Sequence, residues 1–291
     1  MSVIYNTQFV DEKYVDIIEP NLYYDSVLQP GVTFTEKYTT GPAGGIFIHK
    51  LGSGGIITPT TPAGDFTDVV TADALIPVVF NNTFRKSEII YGVTAQNVAY
   101  NKAEEELARL VAEVSESWQV SGLASLTIES SDFGDTTTVS DSTIKNMWIK
   151  IRKTIKQNKA NADFGIVSTA VYESYLQFVG DDFTPLRNDQ IQTNGRGGLF
   201  YGMPIIEANA LGESAAKYYD YTGTLRTIDL TKVDIIMGDH EAFSALNNFE
   251  LMRVIDSERR SGALAQVEMN AAYRVTNSDR IIVKYNGVPT A

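Results

Sequence analysis

Residues 31–66 constrain this chain more than any other stretch, because half of those 36 positions are Gly, Thr or Pro. They read GVTFTEKYTTGPAGGIFIHKLGSGGIITPTTPAGDF. Eight glycines and three prolines forbid a helix, since glycine loses the most backbone freedom on folding and proline lacks the donor a helix interior needs. Val32, Phe34, Ile46, Phe47, Ile48, Ile56 and Ile57 mark short strands between turns. Glu36, Lys37, Lys50 and Asp65 are too few charges for the composition of a disordered tract. The segment is nonetheless too poor in apolar residues to form a core of its own. Such a limb is expected to find its order against another copy or a partner, which favours assembly over catalysis.

At 291 residues the chain accommodates one domain with a long insertion or two small ones. No apolar run approaches the roughly 18 residues of a membrane span. The opening MSVIYNTQFVDEKYVD has neither the basic nor the apolar region of a secretory signal. With no cysteine there is no disulfide or thiolate chemistry. A net charge of −12 opposes tight sequence-independent nucleic-acid binding, which needs clustered Lys and Arg. Any assembly must overcome that self-repulsion through apolar or locally complementary contacts.

The first 30 residues carry Asp11, Glu12, Asp16, Glu19 and Asp25 against Lys13, together with many apolar residues, and read as an arm that packs on something. ALIPVVFNNTFRKSEIIYGV (74–93) reads as strands around a turn at Asn81-Asn82. Ala95, Val98, Ala99, Ala103, Leu107, Leu110, Val111, Val114 and Trp118 then recur at helical spacing, predicting a helix over 94–118 capped by Thr94 and stopped near Gly122. Glu105 and Arg109 form a favourable pair on its outer face. A second helix is expected from about Asp141 to Asn158, with Ile144, Met147, Trp148, Ile151 and Ile155 inward and a basic outer face. That face reads as solvated, or as contacting an acidic surface of a neighbouring copy such as the arm. From 163 the pattern becomes α/β: a strand DFGIVST, a helix TAVYESYLQFV capped by Ser168 or Thr169, a hairpin-like pair about Gly202, and a strand KVDIIMGD. Residues 265–276 alternate strictly, marking a long half-buried strand. RIIVKYNG closes the chain after a turn at 276–279.

Motifs for chemistry are missing or incomplete. His240-Glu241 begins an HExxH zinc motif, but position 244 is Ser. His49, between Ile48 and Lys50 in the limb, reads as a surface residue rather than a ligand. GSGG (52–55) and GRGG (195–198) lack the third glycine of a dinucleotide loop. Asp132-Phe133-Gly134 has no kinase partner motifs, and Gly212-Glu213-Ser214-Ala215-Ala216 falls one residue short of a nucleophile elbow. Asp132, Asp135 and Asp141 compose a loop that could hold calcium, and Asp181-Asp182 a candidate acid/base pair; a solvated acidic loop and an acidic helix exit are the plainer readings. No catalytic, cofactor or metal residue is assigned.

Three segments carry a family likeness: FGIVSTAVYESYLQF (164–178), GRGGLFYGMPIIEANAL (195–211) and FELMRVIDSERRSGALAQVEMNAAYRVTNSDRIIVKYNG (249–287). Taken in order with the arm, the limb and the long helix, they resemble the major capsid protein of tailed bacteriophages, the Hong Kong 97-type coat fold. The resemblance implies an α+β fold with an N-terminal arm (1–30), an extended β-hairpin loop (31–74), a peripheral domain (75–160 and 240–276) built on a spine helix (94–118), and an α/β axial domain (161–239 and 277–291). It implies a structural protein, not an enzyme, whose copies form pentamers and hexamers of an icosahedral head. Implied partners are a separate scaffolding protein, a portal, a decoration protein, and packaged double-stranded DNA held without sequence-specific contacts. No membrane is involved; the protein would be assembled in the bacterial host cytoplasm and reside in the virion. Lys50 compares with a lysine that some relatives use for isopeptide crosslinks, against the plainer reading of a surface lysine. The other readings are an encapsulin-like compartment shell and, in a different class, a hydrolase using paired carboxylates.

Overall fold

The computed structural model describes residues 27–35, 37, 46–50, 74–91, 102–181, 199–256 and 262–287. In chain order these give β1 (Ile46–Lys50), β2 (Ala74–Val78), β3 (Asn82–Tyr91), α1 (Lys102–Glu129), β4 (Ser131–Asp132), α2 (Ile144–Gln157) and β5 (Phe164–Val167). There follow α3 (Thr169–Asp181), β6 (Leu199–Phe200), β7 (Met203–Glu207), β8 (Ala216–Tyr219) and β9 (Leu225–Ile228). The last strands are β10 (Val233–Gly238), β11 (Phe243–Asp256), β12 (Gly262–Val275) and β13 (Ile281–Tyr285).

The long helix does not stop at 118, nor near Gly122. It runs through that glycine to Glu129, and its described 28 residues span about 42 Å at 1.5 Å per residue. Packing explains the glycine. A Cβ at position 122 would strike Leu28 Cδ1 and approach Tyr273 Cε1 to 3.0 Å. The helix therefore accepts roughly 1 kcal/mol of lost propensity in exchange for close contact with two neighbours. Nearby, Trp118 stands edge-on to Phe34 at 6.4 Å, and the Tyr273 hydroxyl donates to the Trp118 carbonyl at 2.8 Å. The first residues of the glycine-rich limb are thus ordered on their own chain. Thr33, Phe34 and Thr35 are buried there, and the Thr35 amide donates to the Phe243 carbonyl at 3.0 Å.

Two sheets organise the rest. β11, β12 and β3 form a three-stranded antiparallel sheet in that order, and α1 lies along one face of it. The expected alternation holds: Ala265, Val267, Met269, Ala271, Tyr273 and Val275 join the α1 core. Opposite them, polar partners line the other face, with Arg85 on Glu268 at 2.6 Å and Thr83 on Asn270 at 2.7 Å. The second sheet has the order β4-β13-β10-β5-β7-β6. Phe164, Ile166, Ile236, Ile281 and Val283 continue the α1 core, whereas Val167, Ile205, Ile235, Met237 and Ile282 pack beneath α2 and α3. The helix α2 therefore shares its core with the six-stranded sheet.

Local chemistry sets the connections. Asp229, Asp239 and Asn277 each start a single 3-10 turn by accepting a hydrogen bond from the amide two residues on. Tyr201 and Gly202 carry φ of 50° and 81°, the left-handed pair that a tight turn between β6 and β7 requires. On β13, strand alternation places Lys284 on the same face as Ile282, and its fully buried ammonium is paired with Asp234 at 3.0 Å. Asp234 sits at a register shift in β10, where a bulge re-aims its side chain.

Candidate assembly surfaces

The strands β1 and β2 pair antiparallel, Ile46 with Val78 through Lys50 with Ala74, and make the base of the expected hairpin loop. Period-two geometry gives this ribbon two faces. Ile48 and Val78 sit on Leu246 and Ala272 of the three-stranded sheet, with Ile46, Ile76 and Phe80 around them. Facing outward, Phe47 is 68% and Leu75 58% exposed. Each forgoes about 1.5–3 kcal/mol of burial while uncovered. His49 lies opposite Leu75 in the ribbon. Residues 51–73, with Ile56, Ile57 and Asp65, lie outside the described residues, as do residues 1–26 and the expected start of the long helix.

A second apolar surface was not foreseen in the sequence. The hairpin β8–β9 exposes Tyr219, Tyr221 and Leu225 and rests on the corner before β3. Asn82 exchanges two hydrogen bonds with the Tyr219 backbone, at 2.8 and 3.0 Å, imitating a strand pair, and Asn81 donates to the Asp220 carbonyl at 2.7 Å. Burial alone would raise the Asp220 carboxyl, but hydrogen bonds from Thr222, Thr224 and Arg226 outweigh it and hold the group down to about 2. Arg274 covers the Tyr221 ring at 4.0 Å. Burial raises the neighbouring Glu129 carboxyl, although the Val275 amide at 2.9 Å and Arg274 at 3.3 Å contact its oxygen.

Charge is distributed unevenly. On α2 and just beyond it, Lys145, Lys150, Lys153 and Lys159 are exposed and make no ion pair among the described residues, while Lys156 reaches Asn161 and Arg152 the Tyr201 carbonyl. Between α1 and β8 runs an open groove of about 310 Å³ lined by Glu116, Val120, Ser121, Glu213 and Lys217 among others. Glu113, one turn earlier on α1, is occupied by Lys86 and Arg109, and Arg109 also binds Glu88. The Glu105 side chain, expected to pair with Arg109, lies outside the described residues.

Among the described residues one group has the makings of a metal site: Asp163, Asp239 and His240, with ligand atoms within 4.8 Å of one another. Its atoms already have partners. His240 Nδ1 lies 2.8 Å from Asp163, and Asp239 accepts from the Glu241 amide at 3.0 Å and from Arg280 at 3.2 Å. The arrangement is a hydrogen-bonded network, with one ion pair between Arg280 and Asp239, where β10 hands over to β11. Ser244 of the incomplete HExxH is a buried β11 residue. Asp132 and Asp135 spend their carboxylates on the amides of Gly134 and Thr137, both at 2.9 Å, and Asp141 on that of Ser142 at 2.7 Å, so this loop is held by its own turns. Asp182 of the acidic pair lies outside the described residues, and the segment from Gly212 to Ala216 is a turn leading into β8.

No family model and no curated protein matches the chain. Solved structures do. A chain from Mycobacterium phage Che8 superposes with a TM-score of 0.62 at 9% identity, over 89% of this chain and 94% of that one. A chain of the capsid structure of the cyanophage P-SCSP1u gives 0.60 at 12% identity, over 89% and 90%. A chain of the capsid of an empty GTA particle gives 0.60 at 10% identity, over 90% and 92%. The α+β fold anticipated from the arm, the limb and the long helix is therefore the one found: this chain has the fold of phage capsid proteins.

Proposed function

We propose that this protein is the major capsid protein of a tailed phage, a structural subunit that closes with copies of itself into an icosahedral head around double-stranded DNA. The observation that carries the reading is the near end-to-end match to capsid chains, about nine-tenths of both partners, at identities of 9–12%. So long a shared path at such low identity reflects a retained architecture, and this architecture leaves an apolar ribbon face uncovered on the single chain. In this reading α1 with the three-stranded sheet forms the peripheral domain, and the six-stranded sheet with α2 and α3 the axial domain at the centres of pentamers and hexamers. The β1–β2 ribbon is the base of the extension loop. Scaffolding, portal and decoration proteins are the partners to seek, in a virion assembled in the host cytoplasm. Neither an encapsulin-like compartment nor a carboxylate hydrolase gains support from the relatives found.

The test keeps the ribbon and removes what it presents. Residues 51–73 are replaced by a short turn joining β1 to β2. The shortened chain is expected to stay soluble and folded by circular dichroism but to yield no closed particles in negative-stain images, while the intact chain yields them. Normal particles from the shortened chain would refute the role of the loop.

A further inference from the structure

Two charge groups of opposite sign, without ion pairs among the described residues, lie on different parts of this subunit. Lys145, Lys150 and Lys153 are exposed on α2, which packs on one face of the six-stranded sheet, and Lys159 is exposed just beyond its end. Glu116 and Glu213 flank the groove between α1 and β8, and α1 belongs to the core on the opposite face of that sheet. Around the groove the other carboxylates are committed: Glu113 to Lys86 and Arg109, Glu129 to Arg274, Asp220 to Arg226. Glu116 and Glu213 have no ion pair among the described residues.

We propose that the basic face of α2 on one subunit docks against the groove between α1 and β8 on the next copy. This rests on the coat-protein reading and names which surfaces meet. The physical grounds are threefold. In a chain of net charge −12, three lysines on α2 and Lys159 just beyond it, none ion-paired among the described residues, are the local exception, and they draw carboxylates from a second copy. A groove of about 310 Å³ admits extended lysine side chains, whose methylene stems can lie along Val120 while the ammonium meets Glu116 or Glu213. Finally, two different patches meeting head to tail form a heterologous contact, the kind that closes into rings.

Charge reversal with reciprocal rescue tests the pairing. Lys150→Glu with Lys153→Glu, and separately Glu116→Lys with Glu213→Lys, are expected to lower particle yield on the order of tenfold at about 50 mM salt, where screening is weak. Combining all four reversals is expected to restore yield to within about twofold of the unaltered protein. Unchanged circular dichroism and melting temperature of each subunit establish that the variants fold. Undiminished yield from Lys150→Glu with Lys153→Glu at every salt concentration overturns the proposal. So does failure of the fourfold variant to recover, which would assign α2 to another partner such as nucleic acid or a scaffolding protein. Either result leaves the coat-protein reading standing, provided the unaltered chain still forms particles.

Discussion

The buried ion pair of Lys284 and Asp234 allows the packing of the six-stranded sheet to be tested by a double-mutant cycle. Lys284 is fully buried; its ammonium meets Asp234 Oδ2 at 3.0 Å and the Tyr285 carbonyl at 3.0 Å. The other oxygen of Asp234 accepts from Asn286 at 3.1 Å. Taking one partner away leaves the other charge without its counterion among Ile235, Met237 and Ile282, so Lys284→Met or Asp234→Leu alone should cost about 3–5 kcal/mol. For a chain of this size that lowers the melting temperature on the order of 10 °C. The double variant removes both charges and fills the space with apolar atoms, and should fall within about 1 kcal/mol of the starting protein, because desolvating the pair costs nearly what its attraction returns. Denaturant titration of the unassembled subunit, followed by circular dichroism, measures all four corners. A cost under about 1 kcal/mol for Asp234→Leu, or single effects that simply add in the double variant, refutes the claim that this pair is enclosed and coupled.

Two further outcomes follow from single sites. At Gly165 on β5 a Cβ would run into the buried Trp148 ring, meeting its Cζ2 at 2.8 Å, and the indole is packed against Phe200 at 5.3 Å. Gly165→Ala should therefore lose about 1–3 kcal/mol in the same titration, despite the lower chain entropy of alanine; a stabilised variant would contradict the packing. Asp220 has its carboxyl depressed to about 2 by its own hairpin, so it contributes stability above the ordinary aspartate value and loses it as pH falls from about 4 to about 2. Asp220→Asn should flatten the stability profile over that acid window and leave the slope above it unchanged; an unaltered acid limb counts against the network.

Legibility in the sequence followed how local the determining physics was. The period-two run in β12 and the apolar stripe of α2 could be read directly, because each face meets a single kind of environment. The end of α1 could not. Gly122 looks like a stop signal, and only the approach of Leu28 and Tyr273, distant in sequence, shows why a glycine belongs inside the helix. The outlet of α2 was hidden for the same reason, since a stripe says that a face is buried and not against which sheet. Most of β11 passed without notice, because Asn247, Asn248 and Arg253 dilute its apolar character, and register with β12 defines it. The hairpin β8–β9 was missed because its anchor, the Asn82 side chain, imitates a backbone partner across 137 positions. Of the candidate assembly surfaces, the ribbon was visible as β-branched residues beside glycines, and the basic face of α2 as a charge run. The groove needed α1 and β8 side by side, which no spacing rule foretells.

Whether copies of this chain cover one another's ribbons is decided most directly by a cryo-electron microscopy reconstruction of the purified protein after assembly. The outcome expected is a closed shell with fivefold vertices in which Phe47 and Leu75, exposed on the single subunit, lie against a neighbouring copy. Material that stays monomeric through every assembly condition, or shells in which both side chains still face solvent, would contradict the coat-protein account.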